Sequence, residues 1–354
     1  MYVYKYILLV YGVTLLLQCE NPEYIPEKAP SNITWVIVSS TNQIVSESLS
    51  QKDCPSGWTT LFSEPNGSIN PVEIPLQQRY VTKFRTIEQF TQATTRTFPL
   101  IGKKIPTIRV SLSWPCFHHV VWREKIIKML EQIQESGFLV ELTLSHHDSY
   151  PAILKNRETP EPNTSGWAHP DAENMFISYV SDVIRTLKPI LPTGTRVYLI
   201  NEPVGMLFNS YLGSGKWPPG GKKSVAGFYT AMINMKNTLL RAGHLIQESQ
   251  WEPAIAKNIR VAEDGKQLDP ILDHIFNWWI LDALTLGCAD NLFTQSCEEK
   301  EIYIAPFTIG ITYYGTMKNS SHNVFVKPNN RRVLQMPLPE MNFAPNSRYF
   351  FETI

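Results

Sequence analysis

The sequence lacks any excess of charge of one sign. Its 354 residues include 32 lysines and arginines against 32 aspartates and glutamates, so the formal net charge is zero. A nucleic-acid-binding surface needs basic side chains to neutralise phosphates, and a disordered chain combines high net charge with low hydrophobicity. With 43% hydrophobic residues the chain has the composition of a folded protein with a large core, and we expect no nucleic-acid partner.

A hydrophobic run of transmembrane length is also missing. The longest apolar stretch, residues 7–17, is about eleven residues long, whereas a membrane-spanning helix needs about twenty. Lys5 precedes this stretch and the polar residue Gln18 follows it, an order typical of a secretory signal peptide. We therefore predict a signal peptide over residues 1–19, no transmembrane anchor, and a secreted or lysosomal protein. Cys19, directly after Gln18, leaves bacterial lipidation open as a weaker alternative.

Cysteines are few, and no Cys-x-x-Cys pair is present, which argues against a zinc site. Beyond the predicted signal peptide their number is even, as expected for disulfides in an oxidising compartment. Cys288 and Cys297 are close enough in sequence to close a small loop, which would leave Cys54 for Cys116, although sequence alone does not determine the pairing. Four Asn-x-Ser/Thr sequons are candidate glycosylation sites of a secreted chain: Asn32, Asn66, Asn163 and Asn319.

Several well-marked catalytic and cofactor motifs are absent from the sequence. It contains no Gly-x-Gly-x-x-Gly, no Walker loop, no His-Glu-x-x-His and no Gly-x-Ser-x-Gly. These absences argue against dinucleotide-binding enzymes, nucleoside triphosphatases, zinc proteases and serine hydrolases of the common types. No metal and no organic cofactor is implied.

What the sequence does contain is an alternation of short β-branched runs and longer segments of helical period. This pattern is typical of parallel strands joined by helices, and the length fits two domains of about 150 residues or one α/β barrel. The predicted strands cover residues 35–41, 108–114, 139–146, 197–202, 255–262 and 309–314. The clearest predicted helices cover residues 123–136, 171–187 and 226–248. The first of them is expected to end at a left-handed cap on Gly137.

Polar and aromatic side chains follow these strands, at the end where a barrel of this type builds its active site. Such side chains hydrogen-bond vicinal hydroxyl groups well, so the set suits a sugar better than a phosphate or a hydride donor. Three tryptophans, Trp114, Trp278 and Trp279, are expected in the core instead. The strand-end set is Gln43, Arg109, His146, Asn201, Glu202, Tyr313 and Tyr314.

The order of these motifs resembles the family-1 glycoside hydrolases, retaining β-glucosidases and their relatives that fold as a single (β/α)8 TIM barrel. The resemblance extends from Trp35 to about Phe351. Its most specific segment is Val-Tyr-Leu-Ile-Asn-Glu-Pro at residues 197–203, and Arg-Val-Ser-Leu-Ser-Trp at 109–114 and Gly-Trp at 166–167 are similar to further family segments. It implies one partial barrel domain over residues 20–354 with about six of the eight strands.

The resemblance also implies roles for individual residues. Glu202 is the expected acid/base carboxyl, and Asn201 the expected contact to the sugar 2-hydroxyl. Gln43 and His146 would bind the glycone, whereas Arg109 and Tyr314 would lie beside the nucleophile. The sequence departs from the family at His147, where Trp is usual, and at Thr312, where Asn is usual.

The family's nucleophile lies in a Thr-Glu-Asn-Gly motif on the seventh strand, and the sequence contains no such motif. Glu352 is the one late candidate, and its helix-like surroundings argue against that role. Three explanations stay open: the chain is a truncated or mis-spliced product of an active enzyme, it completes its barrel with a partner, or it has become a binding protein.

Two functions follow from the resemblance. The first is hydrolysis of β-glucosides or related β-glycosides, with little or no retaining turnover expected from this chain alone because retention needs two carboxylates. The second is a catalytically inactive, klotho-like domain that binds carbohydrate or protein. In either case we expect a β-linked sugar as substrate or ligand, while the preferred glycone, the aglycone and the oligomeric state stay undetermined.

Overall fold

Six parallel strands form the main sheet and lie side by side in the order in which they occur in the chain. A computed structural model of the chain describes residues 36–39, 86, 88–89, 91–92, 107–146, 151, 164–212, 217–219, 223–262, 270–286, 288–290, 297–299 and 307–317. The six strands are β1 Val36–Ser39, β2 Thr107–Ser111, β3 Leu139–Ser145, β4 Arg196–Asn201, β5 Glu252–Ala262 and β8 Thr308–Met317. All six predicted strands are therefore confirmed, and the predicted α/β fold with them.

A separate antiparallel hairpin, β6 Cys288–Asp290 and β7 Cys297–Glu299, lies between β5 and β8 in the chain. Its register places Cys288 opposite Glu299 and Cys297 opposite Asp290, so the two cysteines are offset by two residues across the hairpin. Their pairing stays a prediction. Cys116 is buried and disulfide-bonded, and its partner is not among the residues whose side chains the structure describes.

Helices connect the strands and cover one face of the sheet. They are α1 Trp114–Phe117, α2 Val120–Glu135, α3 Ala172–Leu187, α4 Pro203–Tyr211, α5 Val225–Glu248, α6 Pro270–Asp273 and α7 Trp279–Leu286. A 3₁₀ turn Gly166–Ala168 precedes α3, and a π-helical turn His274–Trp278 separates α6 from α7. The three long predicted helices are confirmed, and Gly137, just after α2, has the predicted left-handed conformation with φ 85°.

The two faces of the sheet bury different side chains because successive residues of a strand point in opposite directions. Val197, Leu199 and Ile255 pack in the main core beneath the helices. Tyr198, Ala254 and Ala256 form a second, small buried cluster, which lies on the opposite face. By the same alternation Arg109, between core residues Ile108 and Val110, belongs to this second face, which we call the inner face.

Aromatic rings fill the core near the start of α1. Trp114 stacks on Tyr179 with 5.8 Å between ring centroids, and it meets Phe176 edge-on at 5.0 Å and Trp167 at 5.5 Å. Trp114 and Trp279 are buried, as expected. Trp278 is 52% exposed, so its assignment to the core was wrong.

The exposure of Trp278 follows from its position on a helical segment. Adjacent residues of a helix point about 100° apart, so two neighbouring tryptophans do not face the same core. Trp279 takes the core position, and Trp278 instead donates an indole hydrogen bond of 3.0 Å to Asp273 Oδ2.

Candidate active site at the strand ends

Glu202 lies at the junction between β4 and α4 in an unusual backbone conformation. Its φ and ψ are 51° and 55°, in the left-handed region that few residues other than glycine adopt. The Glu202 N–H donates to Ala256 O over 2.8 Å, and Met206 N–H donates to Glu202 O over 3.0 Å. These bonds tie the strained turn to β5 and to α4. Strain of this kind is typical of functional sites.

One side chain of β5 holds the Glu202 carboxylate. Asn258 Nδ2 donates to Glu202 Oε2 over 3.3 Å, and the Glu202 side chain is only partly buried. An acid/base group needs this combination of a directing hydrogen bond and access to a ligand. Asn258 was not among the predicted site residues.

Arg109 and Asn201 are joined by a hydrogen bond. Arg109 Nη2 donates to Asn201 Oδ1 over 2.9 Å, and both residues are buried. Their strands, β2 and β4, are separated by β3, so the long arginine side chain reaches past a neighbouring strand. The bond uses the carbonyl oxygen of Asn201 and leaves its Nδ2 group as a donor.

A register shift between Tyr198 and Asn201 makes this contact possible. Strict alternation from Tyr198, an inner-face residue, would place Ile200 on the inner face and Asn201 beneath the helices. Instead Ile200 belongs to the main core, and Asn201 contacts Arg109. An irregularity of this kind re-aims a side chain at the end of a strand.

The Arg109 guanidinium interacts with two further groups on the inner face. Its guanidinium lies 4.2 Å from the ring centroid of Tyr198, a cation–π distance, and it also acts electrostatically on Glu141. Burial raises the pKa of Tyr198 to about 12, with the Glu141 charge adding to the rise and Arg109 opposing it. Arg109 therefore lies in a charge network within the described residues.

Glu141 is the carboxylate of that network. Arg196 Nη1 donates to Glu141 Oε1 over 2.6 Å, and Arg196 Nη2 also reaches Glu252 Oε2 at 3.2 Å. Burial raises the pKa of Glu141, whereas the charges of Arg196 and Arg109 oppose that rise. Arg196 and Glu252 begin their strands, so this end of the network is remote from the strand ends that carry Asn201 and Glu202.

His146 is the residue that directly follows β3, and it is buried. Because Ser145 pairs with Ile200, His146 lies at the same edge of the sheet as Asn201 and Glu202. Three predicted site residues, His146, Asn201 and Glu202, thus lie at one edge of the sheet, and Arg109 is linked to them through its hydrogen bond to Asn201.

The structure does not describe the side chains of two predicted site residues, Gln43 and Tyr314. Gln43 lies outside the described residues, as do the predicted signal peptide and the four sequons. Tyr314 lies on β8, which pairs with β5, and only its strand position is described. Their roles stay predictions.

The Gly-Trp segment before α3 is bound to α4, the helix that begins after Glu202. Tyr211 Oη donates to Ser165 O over 2.6 Å and accepts from Ala168 N–H over 2.9 Å. Burial raises the pKa of Tyr211, so the hydroxyl stays protonated as this bridge requires. Gly166 has φ 63°, and a Cβ at this position would lie 3.0 Å from Tyr211 Oη.

Sequence reasoning missed four residues of the inner face and its surroundings, namely Glu141, Tyr198, Lys257 and Asn258. A charged or amide side chain inside an apolar strand was the available signal, as in Ala-Lys-Asn at residues 256–258. Within the described ranges, no group of three His, Cys, Asp or Glu side chains could hold a metal ion. The helices described include none that is long and apolar enough to cross a membrane.

Comparison with solved structures shows the same fold in β-glucosidases. A β-glucosidase from Thermotoga maritima in complex with glucoimidazole has a TM-score of 0.65 and 17% identity, over 83% of this chain and 68% of that chain. A family 1 β-glucosidase from the same organism has a TM-score of 0.64 and 18% identity, over 83% and 67%. A β-glycosidase from Pyrococcus horikoshii has a TM-score of 0.58 and 19% identity, over 83% and 64%.

No family model and no curated protein sequence matches this chain. The chain is similar in fold to family 1 β-glucosidases, and the predicted resemblance is confirmed at that level. The described sheet accounts for six of the eight strands of such a barrel.

Proposed function

We propose that this chain binds β-glycosides at the strand ends of its sheet and that Glu202 acts there as a general acid/base. The observation that carries the proposal is the pair at the end of β4. Asn201 is held by Arg109, and Glu202, the next residue, is held by Asn258 with its side chain only partly buried. The fold shared with β-glucosidases supports the same assignment.

In the proposed reaction, Glu202 donates its proton to the glycosidic oxygen as the bond to the anomeric carbon breaks. Asn201 donates from Nδ2 to a sugar hydroxyl because its Oδ1 is already bound to Arg109. We assign His146, at the same edge of the sheet, to a hydrogen bond with the glycone. Each of these residues binds, orients or protonates without a metal.

Retention of configuration needs a second carboxylate about 5 to 5.5 Å from the first. Among the described residues, Glu141 is salt-bridged to Arg196 and lies in the network that includes Arg109, so we assign it to charge balance. The 354 residues contain no Thr-Glu-Asn-Gly motif. We therefore expect slow hydrolysis at most, and turnover when an external anion takes the place of the second carboxylate.

Azide supplies the test. In a rescued reaction azide attacks the anomeric carbon, the bond to the aryl oxygen breaks, and Glu202 gives its proton to that oxygen, which releases a glycosyl azide and a phenol. Phenyl β-glucoside needs this proton because its leaving group is basic, whereas 2,4-dinitrophenyl β-glucoside does not. Both substrates are compared with and without azide.

Glu202→Gln should lower azide-rescued turnover of phenyl β-glucoside by about 100-fold or more and leave turnover of the dinitrophenyl substrate nearly unchanged. Glu248→Gln, the same exchange at an exposed position of α5, is the matched control. Equal effects of Glu202→Gln on both substrates would contradict the acid role.

A second function is favoured by one observation. The charge of Arg109 is opposed by Glu141 from within the described residues, so the site does not require a nucleophile to be electrostatically balanced. This arrangement suits a domain that binds a sugar and turns nothing over. Calorimetric binding of glucoimidazole, the ligand of the Thermotoga enzyme, without turnover under azide would support that second function.

A further inference from the structure

Lys257 is a buried lysine for which the proposed reaction has no use. It lies on β5 and is only 1% exposed, and its Nζ donates to Asn258 O over 2.9 Å. Ala256 belongs to the inner face, so by alternation Lys257 points to the helix-covered face. Its ammonium group is thus behind the strand, directly next to the residue whose amide holds Glu202.

The segment of β5 around Lys257 is held in place from the helical side. Pairing of β5 with β8 is irregular between Ile259 and Val261. The Asn277 side chain accepts from Arg260 N–H over 2.9 Å and donates to Arg260 O over 2.8 Å, so it binds both backbone polar groups of Arg260 at this irregularity. Asn277 also donates to Asp273 Oδ1 over 2.7 Å. The π-helical turn that carries Asn277 therefore anchors the strand next to Lys257.

Three charged groups act on Lys257, each from a different element of the fold. Arg260 on the same strand repels its positive charge, whereas Glu202 at the start of α4 and Asp273 at the end of α6 attract it. Burial is the largest effect and, with Arg260, lowers the pKa of Lys257 to about 7, against the attraction of the two carboxylates. A buried lysine costs stability that a methionine of similar size would not, which favours a functional reason for its presence.

We propose that Lys257 is a positioning residue for Glu202: its amino group, behind β5, holds the Asn258 backbone and so sets the amide that orients the Glu202 carboxylate. This inference rests on the proposed function of Glu202 and names Lys257 as the residue that positions its carboxylate. Charge coupling between two groups is reciprocal, so Glu202 must act on Lys257 as Lys257 acts on Glu202.

A direct test follows the Lys257 amine itself by nuclear magnetic resonance of protein labelled with ¹³C and ¹⁵N in lysine. The spectrum of Lys257→Met assigns the resonance, and Lys257→Arg provides a second assignment if the first variant folds poorly. We expect a titration midpoint near 7 in the wild type. In Glu202→Gln the midpoint should fall by about 0.5 pH units or more because an attractive charge has been removed.

Kinetics give the second readout, with azide-rescued turnover of phenyl β-glucoside. Lys257→Met should lower kcat about tenfold, change KM less than about twofold, and remove a limb of the pH profile near pH 7. Lys236→Met is the matched control because Lys236 is a second buried lysine, on α5 rather than on a barrel strand. Asn258→Ala should reproduce the kcat loss of Lys257→Met.

The outcomes separate the two proposals. A Lys257 midpoint that does not move in Glu202→Gln, or a kcat that Lys257→Met leaves unchanged, overturns the positioning role. Absence of turnover in the wild type under azide overturns the acid role of Glu202, while the resonance titration still decides whether Lys257 and Glu202 are coupled. A kcat loss equal in Lys257→Met and Lys236→Met would mean a general packing defect and would also overturn the positioning role.

Discussion

Arg109 donates a hydrogen bond of 2.9 Å to Asn201, although a whole strand lies between the strands that carry them. The contact requires a long side chain on β2 and a register shift at the end of β4. It gives Asn201 one orientation, with its carbonyl oxygen turned to the guanidinium and its amide nitrogen presented as a donor. The buried charge of Arg109 therefore orients a neutral hydrogen-bonding group, the Asn201 amide.

Replacement of Arg109 by methionine should be strongly destabilising. The variant loses the bond to Asn201 and the contact with Tyr198, and it leaves buried Glu141 with less compensation. Breaking a buried charge network by removal of one partner costs about 3 to 5 kcal/mol. Urea denaturation measures the loss. Arg185→Met is the control, because Arg185 is exposed and its pair with Asp182 should contribute within about 0.5 kcal/mol.

Asn201→Ser should weaken sugar binding more than it weakens the fold. The serine side chain is too short to accept from Arg109 and to reach a sugar hydroxyl at the same time. One lost hydrogen bond of this type corresponds to about a tenfold increase in the Kd of glucoimidazole, measured by calorimetry. Asn234→Ser is the matched control, since Asn234 donates to Trp167 O in the helical layer. Equal losses of affinity in both variants would argue against a contact to the ligand.

Gly166→Ala should cost more than the same exchange at Gly137. Both glycines have positive φ, so each alanine pays about 1 to 2 kcal/mol for a left-handed backbone. At Gly166 the new Cβ would in addition lie 3.0 Å from Tyr211 Oη and 3.3 Å from Pro219 Cδ, whereas nothing lies within 4 Å at Gly137. Thermal unfolding of the two variants tests the difference. Equal shifts in Tm would show that Tyr211 moves away from the new Cβ at little cost in stability.

The stability of the protein should depend on pH through Lys257. Burial lowers its pKa from 10.5 to about 7 in the folded chain. Between these two values the unfolded chain binds the extra proton, so the free energy of unfolding rises with pH. The destabilising effect of Lys257 is full below about pH 7 and is gone above pH 10.5. Relative to Lys257→Met, the wild type should gain about 2 kcal/mol from pH 7 to pH 9. Urea denaturation of both proteins at the two pH values measures this difference, and a constant difference contradicts the shift.

Disulfide mapping should find Cys116 in a disulfide, as the structure describes. We expect its partner to be Cys54, with Cys288 joined to Cys297, the pairing that the short spacing of the last two cysteines favours. Peptide mass spectrometry without reduction identifies the linked peptides, and the reduced sample is the control. A peptide linking Cys116 to Cys288 or Cys297 would show that this pairing is wrong. Reduction should lower stability by about 2 to 5 kcal/mol.

Prediction from sequence was good for the elements and for residues that directly follow strands. Strand existence follows from local β-branched runs, and the helices follow from apolar spacing, so both depend on neighbours in the chain. The Asn-Glu-Pro segment was found because its residues are consecutive. Strand ends were less well predicted: β5 begins at Glu252, before the predicted residue 255, and β8 continues to Met317, past residue 314.

The partners of these residues could not be predicted in the same way. Glu141 and Tyr198 interact with Arg109 only because three strands lie side by side, and Asn258 reaches Glu202 across the pair of β4 and β5. Each contact joins residues more than thirty positions apart in the chain. Strand alternation alone even predicts the wrong face for Asn201.

The sequence by itself therefore determined an α/β chain with six strands and a polar set at the strand ends, because those features are encoded in local patterns and short motifs. The acid role expected of Glu202 came from the family resemblance of the Asn-Glu-Pro segment. Only the tertiary structure decided which side chains hold that set. The register shift in β4 turns Asn201 to Arg109, and the irregular pairing of β5 brings Asn277 against the strand that carries Lys257 and Asn258. The physical reason is that hydrogen bonds and charges act over a few ångströms of space, and the packing of the strands sets those distances.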